Sequence, residues 1–244
     1  MKSLRKHLSL LLVLVLVISG MTSCTKHAGQ LIEDAEALCG MMPYTVDMQI
    51  KYESADAELG AVIDSFSAPW IKLSVDGDDM RARMDIKKDG EAAYIAYTVK
   101  DGDLYTEISA GGDVTVTKRE NDEIDSETLM SEFGFGAGIG YDDFEKAEVN
   151  NAIKKQVILC TEIKDEPLEA LVASLENVLS DMEAVVAIKD VNLAIQITDG
   201  RYDITILTVN YVITTPDDVY TLTMILTAQF DYEKEVNIVP PTVE

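Results

Sequence analysis

The stretch from Val219 to Tyr232 shows the most regular pattern in the chain. Apolar side chains occupy every second position, and the positions between them are polar apart from Ile225. This period of two is typical of a β-strand with one buried face and one solvent-facing face. A strand of this length would span roughly 45 Å at ~3.3 Å per residue, so we expect it to bend within a curved sheet.

Similar alternating segments recur before residue 120 and after residue 190, and tight-turn signals separate them. The first predicted strand includes Val46–Tyr52. The turn signals are Asp76-Gly77, Asp89-Gly90, Asp101-Gly102, Gly111-Gly112 and Asp199-Gly200. Asp-Gly between alternating segments favours a hairpin, because type I′ turns need positive φ. Each half of the chain is therefore predicted to form an antiparallel meander. The inward-facing apolar positions change from Tyr202, Ile204 and Ile206 to Leu207, Val209, Tyr211 and Ile213. This slip of one residue after Ile206 predicts a β-bulge.

Two segments have a clear helical spacing of apolar residues. Gln30–Leu38 predicts a short N-terminal helix that stops near Gly40. Leu168–Met182, which follows Pro167, carries a continuous apolar stripe. Such a stripe must be buried, and the concave side of the sheet is the expected partner.

The remaining middle segments are less regular. Asp125–Phe133 is interpreted as the start of a central helix and Tyr141–Ala152 as another, while 55–68 stays open between a strand and a helical turn. Val236–Ile238 is read as a last short strand. The predicted fold is α+β: a strongly curved antiparallel sheet, or half-barrel, whose concave face is covered by an N-terminal helix and central helices.

The N-terminus has the features of a secretory signal over residues 1–23. Three basic residues precede the apolar run Leu8–Ile18, which is too short to span a membrane. The ending Met21-Thr22-Ser23-Cys24 resembles the bacterial lipoprotein lipobox, with Met21 in place of the commoner leucine. The resemblance implies lipidation of Cys24, a tether over 24–30 and a single domain over 31–244, anchored to the cell membrane on its extracytoplasmic face. An ordinary signal peptide is the alternative.

The charge balance excludes one large class of partner. The full chain has a formal charge of -24. Removal of the three basic residues of the signal leaves a mature chain near -27, which would repel nucleic acid and anionic lipid headgroups. Membrane contact is therefore expected from the lipid anchor, and no nucleic-acid partner is expected.

The usual catalytic and metal-binding residues are scarce. His7 and His27 are the only histidines, and both precede the predicted domain, so Ser-His-Asp and Cys-His mechanisms lack their base. The two cysteines after Cys24, Cys39 and Cys160, cannot complete a zinc site, and whether they form a disulfide stays open. We therefore expect no enzyme, no metal and no cofactor.

Two further features have a structural and a functional interpretation. The glycine run 134–140 lacks the Lys-Ser/Thr of a phosphate loop and is interpreted as a loop or lid beside the helices. Acidic clusters such as Asp76–Asp79 could hold calcium, but hairpin turns account for the same residues.

The order strands, central helices, strands behind a lipobox resembles the lipoprotein-carrier superfamily, which includes lipid-binding lipoproteins of mycobacteria. The chain also looks like a family of uncharacterised Gram-positive lipoproteins in its segments Asp101–Tyr105 and Phe230–Pro240. The superfamily resemblance implies an incomplete barrel that holds an apolar ligand such as an acyl chain.

Two functions follow as hypotheses. The first is a membrane-anchored protein that binds or carries a lipid or other apolar ligand between sheet and helices. The candidate lining residues are Met48, Met80, Met84, Met224, Leu226, Phe230, Leu171 and Leu175. The alternative interpretation of the six strand residues, Met48, Met80, Met84, Met224, Leu226 and Phe230, is that they pack on the Leu168–Met182 helix. The second function is a ligand-free module that docks an envelope protein through its sheet edge or acidic face.

Overall fold

A computed structural model of the chain describes residues 24–54, 56, 59, 69–88, 91–120, 139–152, 155–179 and 184–243. Within them lie eleven strands and two α-helices. In chain order the elements are α1 (Cys24–Cys39), β1 (Tyr44–Ser54), β2 (Trp70–Asp76), β3 (Asp79–Lys88), β4 (Glu91–Lys100), β5 (Asp103–Ala110), β6 (Asp113–Arg119), a 3₁₀ turn (Tyr141–Asp143), β7 (Phe144–Ala152), β8 (Lys155–Ile163), α2 (Asp165–Val178), β9 (Val185–Thr198), β10 (Arg201–Thr214) and β11 (Val219–Asp231).

All eleven strands belong to one open antiparallel sheet in the order β6-β5-β4-β3-β2-β1-β11-β10-β9-β8-β7. The first six strands form one meander and the last five form another. The pairing of β1 with β11 joins the meanders, in register from Thr45↔Asp231 to Ser54↔Leu222. The α+β class is confirmed in this form: a large antiparallel sheet with two helices.

The predicted hairpin turns are confirmed where the structure describes them. Asp101 and Gly102 have φ of 53° and 84°, and Asp199 and Gly200 have φ of 49° and 80°. Positive φ at both central residues is the type I′ geometry that matches the twist of the flanking strands. The Asp89-Gly90 turn lies outside the described residues.

A bulge in β10 is confirmed, but it lies at Asp203, whereas the alternation places it later in the strand, between Ile206 and Leu207. Tyr202 pairs with Ile197 of β9, and Ile204 pairs with the next residue back, Gln196, so Asp203 is the extra residue. The Asp203 carboxylate accepts hydrogen bonds from the side chains of Gln196 and Thr198. After the bulge, Thr205 faces the same side of the sheet as Tyr202.

Several predicted boundaries differ from the structure. Tyr141–Ala152 is not a helix, because a 3₁₀ turn leads into strand β7, which pairs with β8. No strand forms at Val236–Ile238. Helix α1 starts at Cys24, so it includes the residues predicted as a tether. The predicted signal 1–23, the central helix Asp125–Phe133 and Met182 lie outside the described residues, as do nearly all of 55–68.

The hydrophobic core lies on one side of the sheet, which we call the inner face and which carries Val46, Met48 and Ile50 of β1. One cluster packs residues of β1 and β7–β11 against α1 and α2. Its helix residues are Ala28, Ile32, Ala35, Leu171 and Leu175. A second cluster extends over β1–β5 and the end of β11. The apolar stripe of α2 is thus buried, as predicted.

The described helices do not supply a membrane span. Neither α1 nor α2 combines the length and the apolar character needed to cross a bilayer.

Substitutions at two neighbouring residues of β8 test which face of the sheet packs in the core. Ile158 is fully buried and Leu159 is 41 % exposed. Ile158→Ala removes buried methyl and methylene groups and leaves a cavity, so we expect it to lower the free energy of unfolding by about 2–5 kcal/mol. Leu159→Ala is the matched control and should change it by about 0.5 kcal/mol or less. Equal effects of the two substitutions in urea denaturation would contradict the assigned inner face.

Candidate functional site

A cavity of about 460 Å³ lies between α1, the 3₁₀ turn and the inner face of the sheet. The sheet contributes its floor, which is apolar apart from one threonine. The floor residues are Val46, Met48, Leu73, Leu193, Thr205, Leu207, Leu226, Ala228 and Phe230. Two further elements enclose the cavity from above. Helix α1 contributes Gly29 and Ile32, and the segment 139–143, which contains the 3₁₀ turn, contributes Ile139, Gly140 and Tyr141. Its volume lies within the range of small-molecule sites.

The cavity lies where two small side chains, from β10 and β11, meet beside a methionine of β1. Thr205 of β10 lies opposite Ala228 of β11, and Ala228 lies opposite Met48 of β1. The neighbouring row along the strands is bulkier, with Leu207 opposite Leu226. Gly29 of α1 adds no side chain above this region, and a Cβ there would lie 3.8 Å from the Tyr141 hydroxyl oxygen. The small side chains on the sheet and the missing side chain at Gly29 therefore leave a space that the surrounding residues do not fill.

Four carboxylates form the polar rim of the cavity. Glu33 and Glu36 come from α1, and Asp142 and Asp143 come from the 3₁₀ turn. Positions three apart lie on one face of a helix, so α1 presents both of its acids to the same opening. The Asp143 carboxylate accepts a hydrogen bond from the Gly140 amide at 2.8 Å, which holds the turn closed. None of the described lining residues is basic.

Aromatic side chains cluster at one end of the cavity. The Phe230 ring stacks on Tyr202, with 5.3 Å between ring centroids, and lies 6.1 Å from the ring of Tyr44. The Tyr202 hydroxyl donates to Glu36 Oε1 at 3.4 Å. Burial raises the pKa of Tyr202, and the charges of Glu36 and Asp142 add to the shift, so this phenol stays neutral beside the rim.

The structure separates the eight predicted lining residues into three groups. Met48, Leu226 and Phe230 line the cavity. Leu171 and Leu175 of α2 pack in the first core cluster together with Met224 of β11. Met80 and Met84 belong to the second cluster, away from the described cavity lining. Packing with α2, the alternative raised from the sequence, therefore fits Met224, whereas Met80 and Met84 pack in a cluster that contains no α2 residue.

Sequence reasoning missed the parts of the site that come from outside the alternating strands. Gly29 lies in the segment predicted as a tether, and the 3₁₀ turn lies in a segment predicted as a helix. A signal for two of the missed residues was present, since Glu33 and Glu36 have i,i+3 spacing on a predicted helix. Sequence reasoning also missed Thr205, because the alternation places the parity slip after Ile206, whereas the bulge at Asp203 already turns Thr205 to the inner face.

The two cysteines of the domain are free and buried, so they form no disulfide. The Cys39 Sγ and the Tyr232 hydroxyl oxygen are 3.0 Å apart, within hydrogen-bond distance. Burial raises the pKa of the Cys39 thiol, and it raises the pKa of Cys160 to about 11. Both groups therefore remain protonated thiols at neutral pH.

The acidic turns have local structural partners. Lys100 pairs with Asp79, and the hydrogen bond from its ammonium is the main cause that lowers the pKa of Asp79. The Asp101 amide donates to the same carboxylate at 3.2 Å. Within the part of the chain that the structure describes, no three His, Cys, Asp or Glu side chains are grouped to hold a metal ion.

Comparison with known proteins gives no assignment. The chain matches no protein-family model and no curated protein sequence.

The buried Cys160 thiol predicts a specific pH dependence. An unfolded chain loses this proton near pH 9.0, whereas the folded chain keeps it until about pH 11. The thiol's contribution is therefore fully present below pH 9.0 and is lost as the pH rises through 11. Relative to Cys160→Ala, the unmodified protein should lose on the order of 1–2 kcal/mol of stability between pH 8 and pH 10.5.

Urea denaturation of both proteins at the two pH values measures this loss of stability. The buried tyrosines titrate in both proteins, so their contribution cancels when the two are compared. If the two proteins differ in stability by the same amount at both pH values, the raised pKa of the Cys160 thiol is contradicted.

Proposed function

We propose that this protein is a membrane-anchored, extracytoplasmic, non-enzymatic lipoprotein that binds or carries a lipid or another apolar ligand between its sheet and its helices. The observation that carries the proposal is the cavity of about 460 Å³ with an apolar floor. It lies beside side chains that are otherwise fully packed, such as Val46 and Leu207. A site that has an apolar interior and a few polar groups at its opening is typical of small-molecule binding.

The proposal includes a half-barrel shape for the sheet. Two register shifts interrupt the pairing of β9 with β10, one at Tyr202/Ile204 and one at Asn210/Tyr211. Bulges increase local twist and bend a sheet. Both helices contribute to the core on the same face, which favours a concave inner side that wraps around them. This geometry would resemble the incomplete barrel of the lipoprotein-carrier superfamily.

Ligand binding would bury apolar surface of the ligand at ~25 cal/mol per Å². The wall that must move for entry consists of α1 and the segment 139–143. Gly140 lies in this segment and is exposed, and a Cβ there would meet no atom within 4 Å. Rearrangement of a short segment of this kind is a common way to open a ligand site.

The proposed anchor would place the cavity close to the membrane. Cys24 is the first residue of α1, and Gly29 of the cavity wall lies five residues later. At about 1.5 Å per residue, this separation is roughly 8 Å along the helix. Acylation of Cys24 would therefore hold the cavity within reach of the bilayer from which an apolar ligand would come.

A pair of tryptophan substitutions in β10 tests whether the cavity is the binding site. Thr205 faces the cavity, and Thr208 faces the opposite side of the sheet. Thr205→Trp should fill the cavity and weaken binding of a fluorescent fatty acid by at least about tenfold, or 1.4 kcal/mol. Thr208→Trp should bind like the parent. The background for both is the full chain with Cys24→Ser, so that no acyl group of its own can occupy the site.

Uptake that persists in Thr205→Trp would show that the probe binds elsewhere. No uptake by the parent would count against ligand binding as the function.

The second candidate is an interaction module, favoured by one observation. Strand β6 forms an edge of the open sheet, and Val114 and Ile108 beside this edge are 53 % and 50 % exposed. An exposed edge strand can pair with an extended segment of another protein. This candidate would gain support if no apolar probe entered the cavity.

A further inference from the structure

We infer that the ligand of the cavity carries a cationic ammonium group on an apolar body. This inference rests on the proposed function and specifies the chemical class of the ligand. It is drawn from the charges and rings around the opening together with the apolar floor beneath them.

The rim places negative charge where the polar end of a ligand would lie. The charged lining residues that the structure describes are all carboxylic acids, and they come from two separate elements, α1 and the 3₁₀ turn. Among the described residues, no ion pair forms with Glu33, Glu36 or Asp142. An anionic head group would meet uncompensated repulsion there, and a cation would be attracted.

Two cations lie near the rim, and both already have protein contacts outside the cavity lining. The Lys164 ammonium donates to the backbone carbonyl oxygen of Asp142. The Arg201 guanidinium lies 5.6 Å from the centroid of the Tyr232 ring. Neither residue lines the cavity, so neither occupies the space that faces the rim carboxylates.

Aromatic rings supply a second feature suited to an ammonium group. Tyr44, Tyr141 and Phe230 line the cavity next to the carboxylates, and Tyr202 stacks on Phe230. The faces of such rings attract cations, and quaternary ammonium groups are recognised by aromatic clusters of this kind. A carboxylate rim and aromatic walls above an apolar floor therefore match a ligand with an ammonium head and a hydrocarbon body.

A series of probes with the same tail and different heads tests the inference. Decyltrimethylammonium, decanol and decanoate would be titrated calorimetrically into the full chain carrying Cys24→Ser. We expect the ammonium probe to bind at least about tenfold more tightly than decanol, which is a difference of 1.4 kcal/mol, and decanoate to bind most weakly.

Substitutions at the rim identify the source of the preference. Glu33→Gln combined with Asp142→Asn removes two of the four rim carboxylates and should lower the ammonium-to-decanol affinity ratio several-fold, while decanol affinity stays unchanged. Asp34→Asn is the matched control, because Asp34 is exposed on the same helix, accepts a hydrogen bond from Gln30 and does not line the cavity. It should leave the ratio unchanged.

The outcomes separate this inference from the proposed function. Equal binding of all three probes, or tightest binding of decanoate, would overturn the inference and leave an apolar-ligand protein. An ammonium preference that the rim substitutions leave undiminished would also overturn it. If none of the probes binds, the proposed function itself fails.

Discussion

The pairing of β1 with β11 is the interaction on which the rest of the structure depends. It brings together strands near opposite ends of the chain and joins two local meanders into one sheet. Each meander could form its own hairpins, but the inner face becomes continuous only when Val46, Met48 and Ile50 lie beside Phe230, Ala228 and Leu226. The entropy lost in closing so long a loop must be offset by this buried apolar surface.

The cavity is a consequence of the same pairing. Thr205, Ala228 and Met48 come from β10, β11 and β1, and the small side chains of Thr205 and Ala228 lie in one row with Met48 only in the observed register. A shift of one residue would turn each of them to the other face. The bulge at Asp203 is required as well, because it brings Thr205 to the inner face. Helix α1 then covers this row with Gly29 and places its acidic residues at the opening.

The error over Tyr141–Ala152 has its physical cause in the pairing of β7 with β8. Phe144 and Ala147 are both buried in β7, and their spacing of three is typical of a helix. The ladder with β8 is distorted at Glu162, which has a φ of 60°, and this lets both residues reach the core. A distortion that depends on the partner strand leaves no periodic signal in β7 itself. The four candidate methionines also divide in the structure, with Met48 in the cavity lining and the other three in the core clusters, since alternation identifies a face of the sheet and not the neighbours on it.

The sequence by itself determined the two meanders apart from β7, most of their turns, the presence of a bulge in β10 though not its position, and the helices α1 and α2. These features arise from contacts between residues close along the chain, so periodicity and turn chemistry are sufficient to predict them. Only the tertiary structure decided that Met48, Leu226 and Phe230 line a cavity while Met80, Met224 and Leu171 pack in the core. The position of unfilled space depends on how side chains from distant strands and helices meet, and no local pattern records that arrangement.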